Sequence, residues 1–288
     1  MIRNNVTGKL ILFTLLNVFL LNNTFAQSLD EVTKSYNEAI QVANTTPDVS
    51  FASFTTLLPK VEALGEEGAD IAKKIKDVLP SLQYKTALKA YTAKDMKNAI
   101  SGFENALVLS EKYENTEIPS QINTKLPALY YSQGNSLLKA KDVTGATAAY
   151  NKAMAANPNY AKAYYGLSKV FRSQSKMDSV LTYAQKAIDI AGDDAKSVGV
   201  FKSGTKKYLY KAATAKAKAK KHKEAVELYK KALEYSDGTK EEKYHYKLGK
   251  SYQALGKTAD ACASYKKVTS GKYLEGAKYE MEQKLKCK

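Results

Sequence analysis

Five segments of the chain share one pattern, with two departures: a small residue, an aromatic four positions on, and another small residue three positions further. The sets are Ala99–Phe103–Ala106, Ala146–Tyr150–Ala153, Val180–Ala184–Ala187, Ala225–Tyr229–Ala232 and Ala261–Tyr265–Val268. Ala184 replaces the aromatic in the third, and Val268 the last alanine in the fifth. Spacings of four and three place the members of a set on one helical face. Small residues there admit a neighbouring helix, and the ring fills the space beside them. A second amphipathic run and a short turn precede each set, as in "YYSQGNSLLKAKDVTG" before Ala146, "YYGLSKVFRSQSKMD" before Val180 and "YHYKLGKSYQALGKTAD" before Ala261. The pattern predicts helices in antiparallel pairs, and no strand.

The pairs recur with a period. Ala146 to Val180 is 34 residues and Ala225 to Ala261 is 36, whereas Ala99 to Ala146 is 47 and Val180 to Ala225 is 45. The excess falls in "YENTEIPSQINTKLP" and "GDDAKSVGVFKSGT", read as long inter-repeat turns or short added helical segments. This period, with Leu248–Gly249, Tyr252 and Gly256 in the last unit and Pro158 twelve residues after Ala146, resembles the tetratricopeptide repeat. The resemblance covers roughly residues 80–270 and is fullest over 127–194 and 242–270. Gln83, Thr86 and Ala90 weaken the apolar stripe of the first unit, and Lys216 replaces a large apolar residue in the fourth. It implies an all-α, right-handed α-solenoid with units at 80–113, 127–160, 161–194, 206–239 and 242–270. Residues 27–79, opened by the capping box Ser28/Glu31, are expected as an atypical N-terminal helical cap. Residues 271–288 are expected as a C-terminal capping helix whose Tyr273, Leu274, Ala277 and Met281 lie on the last repeat.

The doublet Tyr164–Tyr165 is informative because adjacent helical residues point about 100° apart. Tyr164, Leu167 and Phe171 form one stripe, matching the core positions of the family. Lys162, Tyr165, Lys169 and Arg172 form another. In tetratricopeptide arrays the first helices line the concave surface, so the resemblance assigns Tyr164 to the core and Tyr165 to a groove. The position of Tyr165 is held by Tyr84, Tyr131, Tyr210 and Tyr246 in the other units. Lys162, Lys207 and Lys243 stand three residues before these tyrosines, and Asn135, Lys169 and Lys250 four after. A tyrosine ladder flanked by cations suits recognition of carboxylates or other anions. The same ladder also suits packing between successive first helices, and both readings stand. The arrangement by which some family members clamp a C-terminal carboxylate is not matched, since Tyr131 stands at the clamp lysine.

Charge and the N-terminal run add a setting. Lys and Arg number 45 against 29 Asp and Glu. Such a surplus favours nucleic acid, anionic lipid or glycan, or acidic peptide. Residues 1–26 carry Arg3 and Lys9, an apolar run from Leu10 to Leu21, then Thr24 and Ala26, the order of a secretory signal peptide. Cleavage after Ala26 would export the chain to the periplasm or beyond, with no lipidated cysteine and no transmembrane segment in the mature part. Export disfavours nucleic acid. It also makes Cys262 and Cys287 a possible disulfide, with two free thiols as the alternative.

Catalytic chemistry finds no constellation. His222 lies in a turn with Lys216, Lys218, Lys220, Lys221 and Lys223, read as a solvated turn or a contact for an anionic surface. His245 takes a core-facing position. No Cys/His spacing suggests zinc and no glycine-rich loop follows a strand, so neither cofactor nor metal is expected. These observations together imply a non-enzymatic exported scaffold, its groove taking an acidic segment of another envelope or secreted protein. The alternatives are a glycan- or cell-wall-binding protein that stacks sugars on the ladder, and a purely structural envelope spacer.

Overall fold

A computed structural model describes residues 28–236 and 238–288. The leader expected at 1–26 lies outside them. The described residues are all-α, with no strand and no helix long and apolar enough to cross a membrane. The described residues divide into two compact units, one ending at Leu129 and the other beginning at Tyr130.

In the first unit α1 (Leu29–Gln41) is capped by the Ser28 hydroxyl, which accepts from the Glu31 amide at 3.3 Å. Helix α2 (Pro47–Glu62) follows, with proline at the first position, where no amide is missed. Helix α3 (Ala69–Thr92) pairs with α4 (Met96–Lys112), and the short α5 (Glu117–Asn123) fills the segment read as an inter-repeat insertion. The sequence divides 27–79 from 80–113 near Pro80, but α3 runs straight through it. Leu79, Pro80 and Leu82 are all buried, so apolar contact offsets the lost amide bond. The core of this unit gathers Val32, Phe54, Val61, Ile75 and Leu79.

Helix α6 (Leu126–Lys139) enters the second unit at Tyr130. Then come α7 (Val143–Ala156), α8 (Ala161–Ser173), α9 (Met177–Ala191), α10 (Ala195–Lys218), α11 (His222–Glu234), α12 (Glu242–Ala254) and α13 (Thr258–Lys266). A closing segment combines a 3₁₀ turn (Gly271–Tyr273), α14 (Leu274–Tyr279) and a π-turn (Glu280–Leu285). The stretch "GDDAKSVGVFKSGT" contains no long turn: the Asp194 carboxylate caps it at 3.2 Å from the Ser197 amide, and it becomes the first turns of α10.

One turn joins the two helices of every pair. Lys94, Lys141, Ser175, Lys220 and Gly256 all take φ between 58° and 70°. The amide of the next residue reaches back five positions, as from Asp142 to the Leu137 carbonyl at 2.9 Å and from Lys257 to Tyr252 at 3.0 Å. Left-handed residues followed by such bonds close helices in the Schellman manner. The small–aromatic–small faces are buried: Ala99, Phe103, Ala106, Ala146, Tyr150, Ala153, Ala184, Ala187, Ala225, Tyr229, Ala232, Ala261 and Tyr265 have no measurable exposure.

Candidate functional site

The five ladder tyrosines do not stand free in a groove. In four pairs the ring packs on the second-helix aromatic of its own pair: Tyr84 on Phe103 at 5.6 Å between centroids, Tyr131 on Tyr150 at 5.9 Å, and Tyr210 on Tyr229 and Tyr246 on Tyr265 at 5.8 Å each. In the 161–194 pair Ala184 supplies no ring, and Tyr165 packs instead on Phe201 of α10 at 4.6 Å. Gly204, one turn beyond Phe201, makes room for the Tyr165 hydroxyl, which a Cβ there would strike. The doublet therefore does not divide into one buried and one open ring: Tyr164 is 9% exposed and Tyr165 7%. Tyr84 is also buried, in the first unit, while Tyr131, Tyr210 and Tyr246 are half-buried.

Two of the second-helix tyrosines, Tyr150 and Tyr265, are approached closely by glycine. Gly134 on α6 and Gly166 on α8 both lie against the same edge atoms of the Tyr150 ring, Cδ1, Cε1 and Cζ, and Gly249 lies against Tyr265. The second-helix hydroxyls find first-helix partners. Tyr150 donates to Asn135 Oδ1 at 3.0 Å, and Tyr229 and Thr214 share a hydrogen bond at 3.0 Å. Tyr265 donates to Gln253 Oε1 at 2.9 Å. Burial pushes the phenols of Tyr150, Tyr229 and Tyr265 up, and burial together with the Tyr273 phenol pushes Tyr210 up to about 12. Asn135 thus supports the fold from a position read as part of the groove.

The same holds for Lys250. Its Nζ donates to Glu280 Oε1 at 2.8 Å, and Gln253 Nε2 donates to Glu280 Oε2 at 2.8 Å. Burial opposes the charge on Glu280, but these two donors prevail and hold its carboxyl below the usual range. The closing segment that carries Glu280 also sets Tyr273 on Tyr246 at 5.2 Å and is tied down by a Cys262–Cys287 disulfide, with Cα atoms 5.7 Å apart.

Three of the remaining cations lie over rings. Lys169 lies over Tyr165 at 5.1 Å and Tyr131 at 5.7 Å, and its Nζ is 3.5 Å from the Tyr131 hydroxyl. Lys243 lies over Tyr210 at 5.0 Å and Tyr244 at 5.1 Å. Arg172 lies over Tyr208 at 5.7 Å, while Lys162 and Lys207 are exposed. Among the described residues no carboxylate forms an ion pair with Lys162, Lys169, Arg172, Lys207 or Lys243, whereas Glu224 pairs with Lys216 and Glu280 with Lys250. A cation over ring faces gains about 0.5–2 kcal/mol from the quadrupole. It keeps its N–H donors available to an anion.

Sequence reasoning missed Lys206, Gln253 and Glu280. Lys206 is buried, donating to Ser236 Oγ at 2.9 Å and the Thr239 carbonyl at 3.3 Å, with Tyr244 below it at 5.6 Å. Nothing in its lysine-rich surroundings distinguishes it. Gln253 had a signal: it stands seven residues after Tyr246, on the groove stripe, as Arg172 does after Tyr165. His245 is buried with Nε2 3.5 Å from Glu241 Oε2. Burial holds its imidazole below the usual value, the nearby carboxylates notwithstanding.

Comparison with known proteins bears on the repeats directly. Tetratricopeptide repeat models match residues 131–195 and 244–270. No curated protein matches the sequence. Similar solved structures include the MamA protein, 17% identical over 71% of this chain and 95% of that one, with a TM-score of 0.36. YrrB, described as a tetratricopeptide protein with an unusual peptide-binding site, is 17% identical over 69% of this chain and 89% of its own, with a TM-score of 0.35. The tetratricopeptide domain of P58(IPK) is 13% identical over 91% of this chain and 73% of its own, with a TM-score of 0.33. With their paired helices and buried small–aromatic–small faces, the two matched stretches are tetratricopeptide repeats.

Proposed function

We propose that the protein is an exported, non-enzymatic scaffold that holds an acidic segment of another envelope or secreted protein against the first helices of its second unit. The observation that carries this reading is the rung of Tyr131, Lys169 and Tyr165: an ammonium held over two rings, with Arg172 one turn away and no carboxylate of the described residues paired to either. Fixed cations of this kind recognise a carboxylate with little entropy left to lose. The wider surplus of basic residues steers an acidic partner towards them. Stacking on sugar rings is less well served, because the face of Tyr165 is taken by Phe201. Tyr84 and Tyr165 act chiefly as packing, and recognition falls to Tyr131, Tyr210, Tyr246 and the lysines beside them.

The test is a photoreactive residue at Lys162, an exposed position one turn before Tyr165. Crosslinking in intact cells should capture one dominant protein. Lys169→Glu with Arg172→Glu should abolish that adduct while helicity stays unchanged. An adduct indifferent to the charge reversal would refute anion recognition.

A further inference from the structure

A pocket of about 450 Å³ opens between α10, α11 and α12. That is a size that encloses a small molecule. Ala217, Ala254 and the Tyr229 ring give it apolar walls. Lys218 and Lys247 stand at it, neither of them in an ion pair among the described residues, while Lys250, which also lines it, is satisfied by Glu280. His222 also lines it, and the Nδ1 of this imidazole is buried without a hydrogen-bond partner. A buried polar atom with nothing to bond costs about 1–3 kcal/mol. The two ammonium groups that line the same pocket add an attraction for negative charge.

We propose that this pocket is a binding site for a small organic anion: a carboxylate on an apolar body. The His222 imidazole turns to donate its Nδ1–H to one carboxylate oxygen, the ammonium groups of Lys218 and Lys247 compensate the charge, and the body lies between Ala217, Ala254 and Tyr229. The site does not depend on peptide recognition at Tyr131, Lys169 and Arg172, and either can fail alone.

The chain has only two histidines, which gives the test its own control. His222 lines this pocket, and His245 lines a different hollow with Leu248, Tyr252 and Asp260. Sodium benzoate is titrated into the full mature chain while the two imidazole C–H resonances are followed by NMR. The His222 signal is expected to move and saturate while that of His245 stays in place. Lys218→Gln with Lys247→Gln should weaken the apparent affinity about ten-fold, with an undisturbed His245 signal reporting an intact fold. Sulfate, which has no apolar body, should bind more weakly than benzoate. A stationary His222 signal, equal movement of both histidines, undiminished affinity in the double variant, or sulfate binding as well as benzoate would each overturn the proposal.

Discussion

Gly166 shows how much of this architecture rests on the absence of one atom. A Cβ there would press into the Tyr150 ring, which Gly134 also approaches closely. Gly166→Ala is expected to cost about 1–3 kcal/mol, because the ring is fully buried and has nowhere to retreat. Gly199, exposed on α10 where an added Cβ would meet nothing within 4 Å, is the matched control. Gly199→Ala should stabilise by up to about 1 kcal/mol through helix propensity alone. Opposite signs in urea unfolding check the pair; loss of stability in both would show that the ring is not the cause. Lys141 makes the converse case. It holds φ at 66° in a turn where the last unit uses Gly256, so Lys141→Gly should stabilise by about 1 kcal/mol, read as a raised melting temperature.

Among elements, the second helices were the most legible. Their small–aromatic–small faces depend only on spacings of three and four, and Ala146, Tyr150 and Ala153 lie buried where the spacing put them. Where elements begin was harder to read. Pro80 and the glycines of "SVGVFKSG" look like interruptions, yet α3 and α10 run through them, since burial of Leu79 and Phe201 outweighs local propensity. The groove was harder still. Nothing in the spacing of Tyr165 tells whether its face meets solvent or a ring from the next pair, because that depends on the side chain at 201, 36 residues away. The closing segment carries its own test. The disulfide encloses a loop of 25 residues' separation, for which chain entropy gives about 3 kcal/mol. Cys262→Ser with Cys287→Ser should lower unfolding stability by an amount of that order, and amide exchange should rise first in residues 271–285. Uniform exchange along α12 and α13 instead would mean that the segment is not a separate, weaker layer.

For the molecule as a whole, two buried titrating groups contribute to the response to acid. His245 is held below its ordinary value of 6.5, with burial as the main cause, Lys267 adding to it, and Glu241 and Glu242 opposing. The unfolded chain therefore binds this proton first, and stability falls as the pH drops below about 6.5. Glu280 is held below its ordinary value of 4.5, so its contribution is complete above that pH and is lost as the pH falls through its lowered value. Urea midpoints measured from pH 7 downwards should show two successive declines. His245→Phe is expected to remove the first and Glu280→Gln to diminish the second; a flat profile down to pH 4.5 in the unmodified protein would contradict the burial argument for His245. The loan of Phe201 to Tyr165 reaches further than packing. Because residues 161–194 complete their aromatic contact with a ring encoded after them, this repeat is not a self-sufficient cassette. Excised, transplanted into another array or duplicated in place, it would carry a bare tyrosine in search of its phenylalanine, so recombination that respects the 34-residue period would still cut through a working contact.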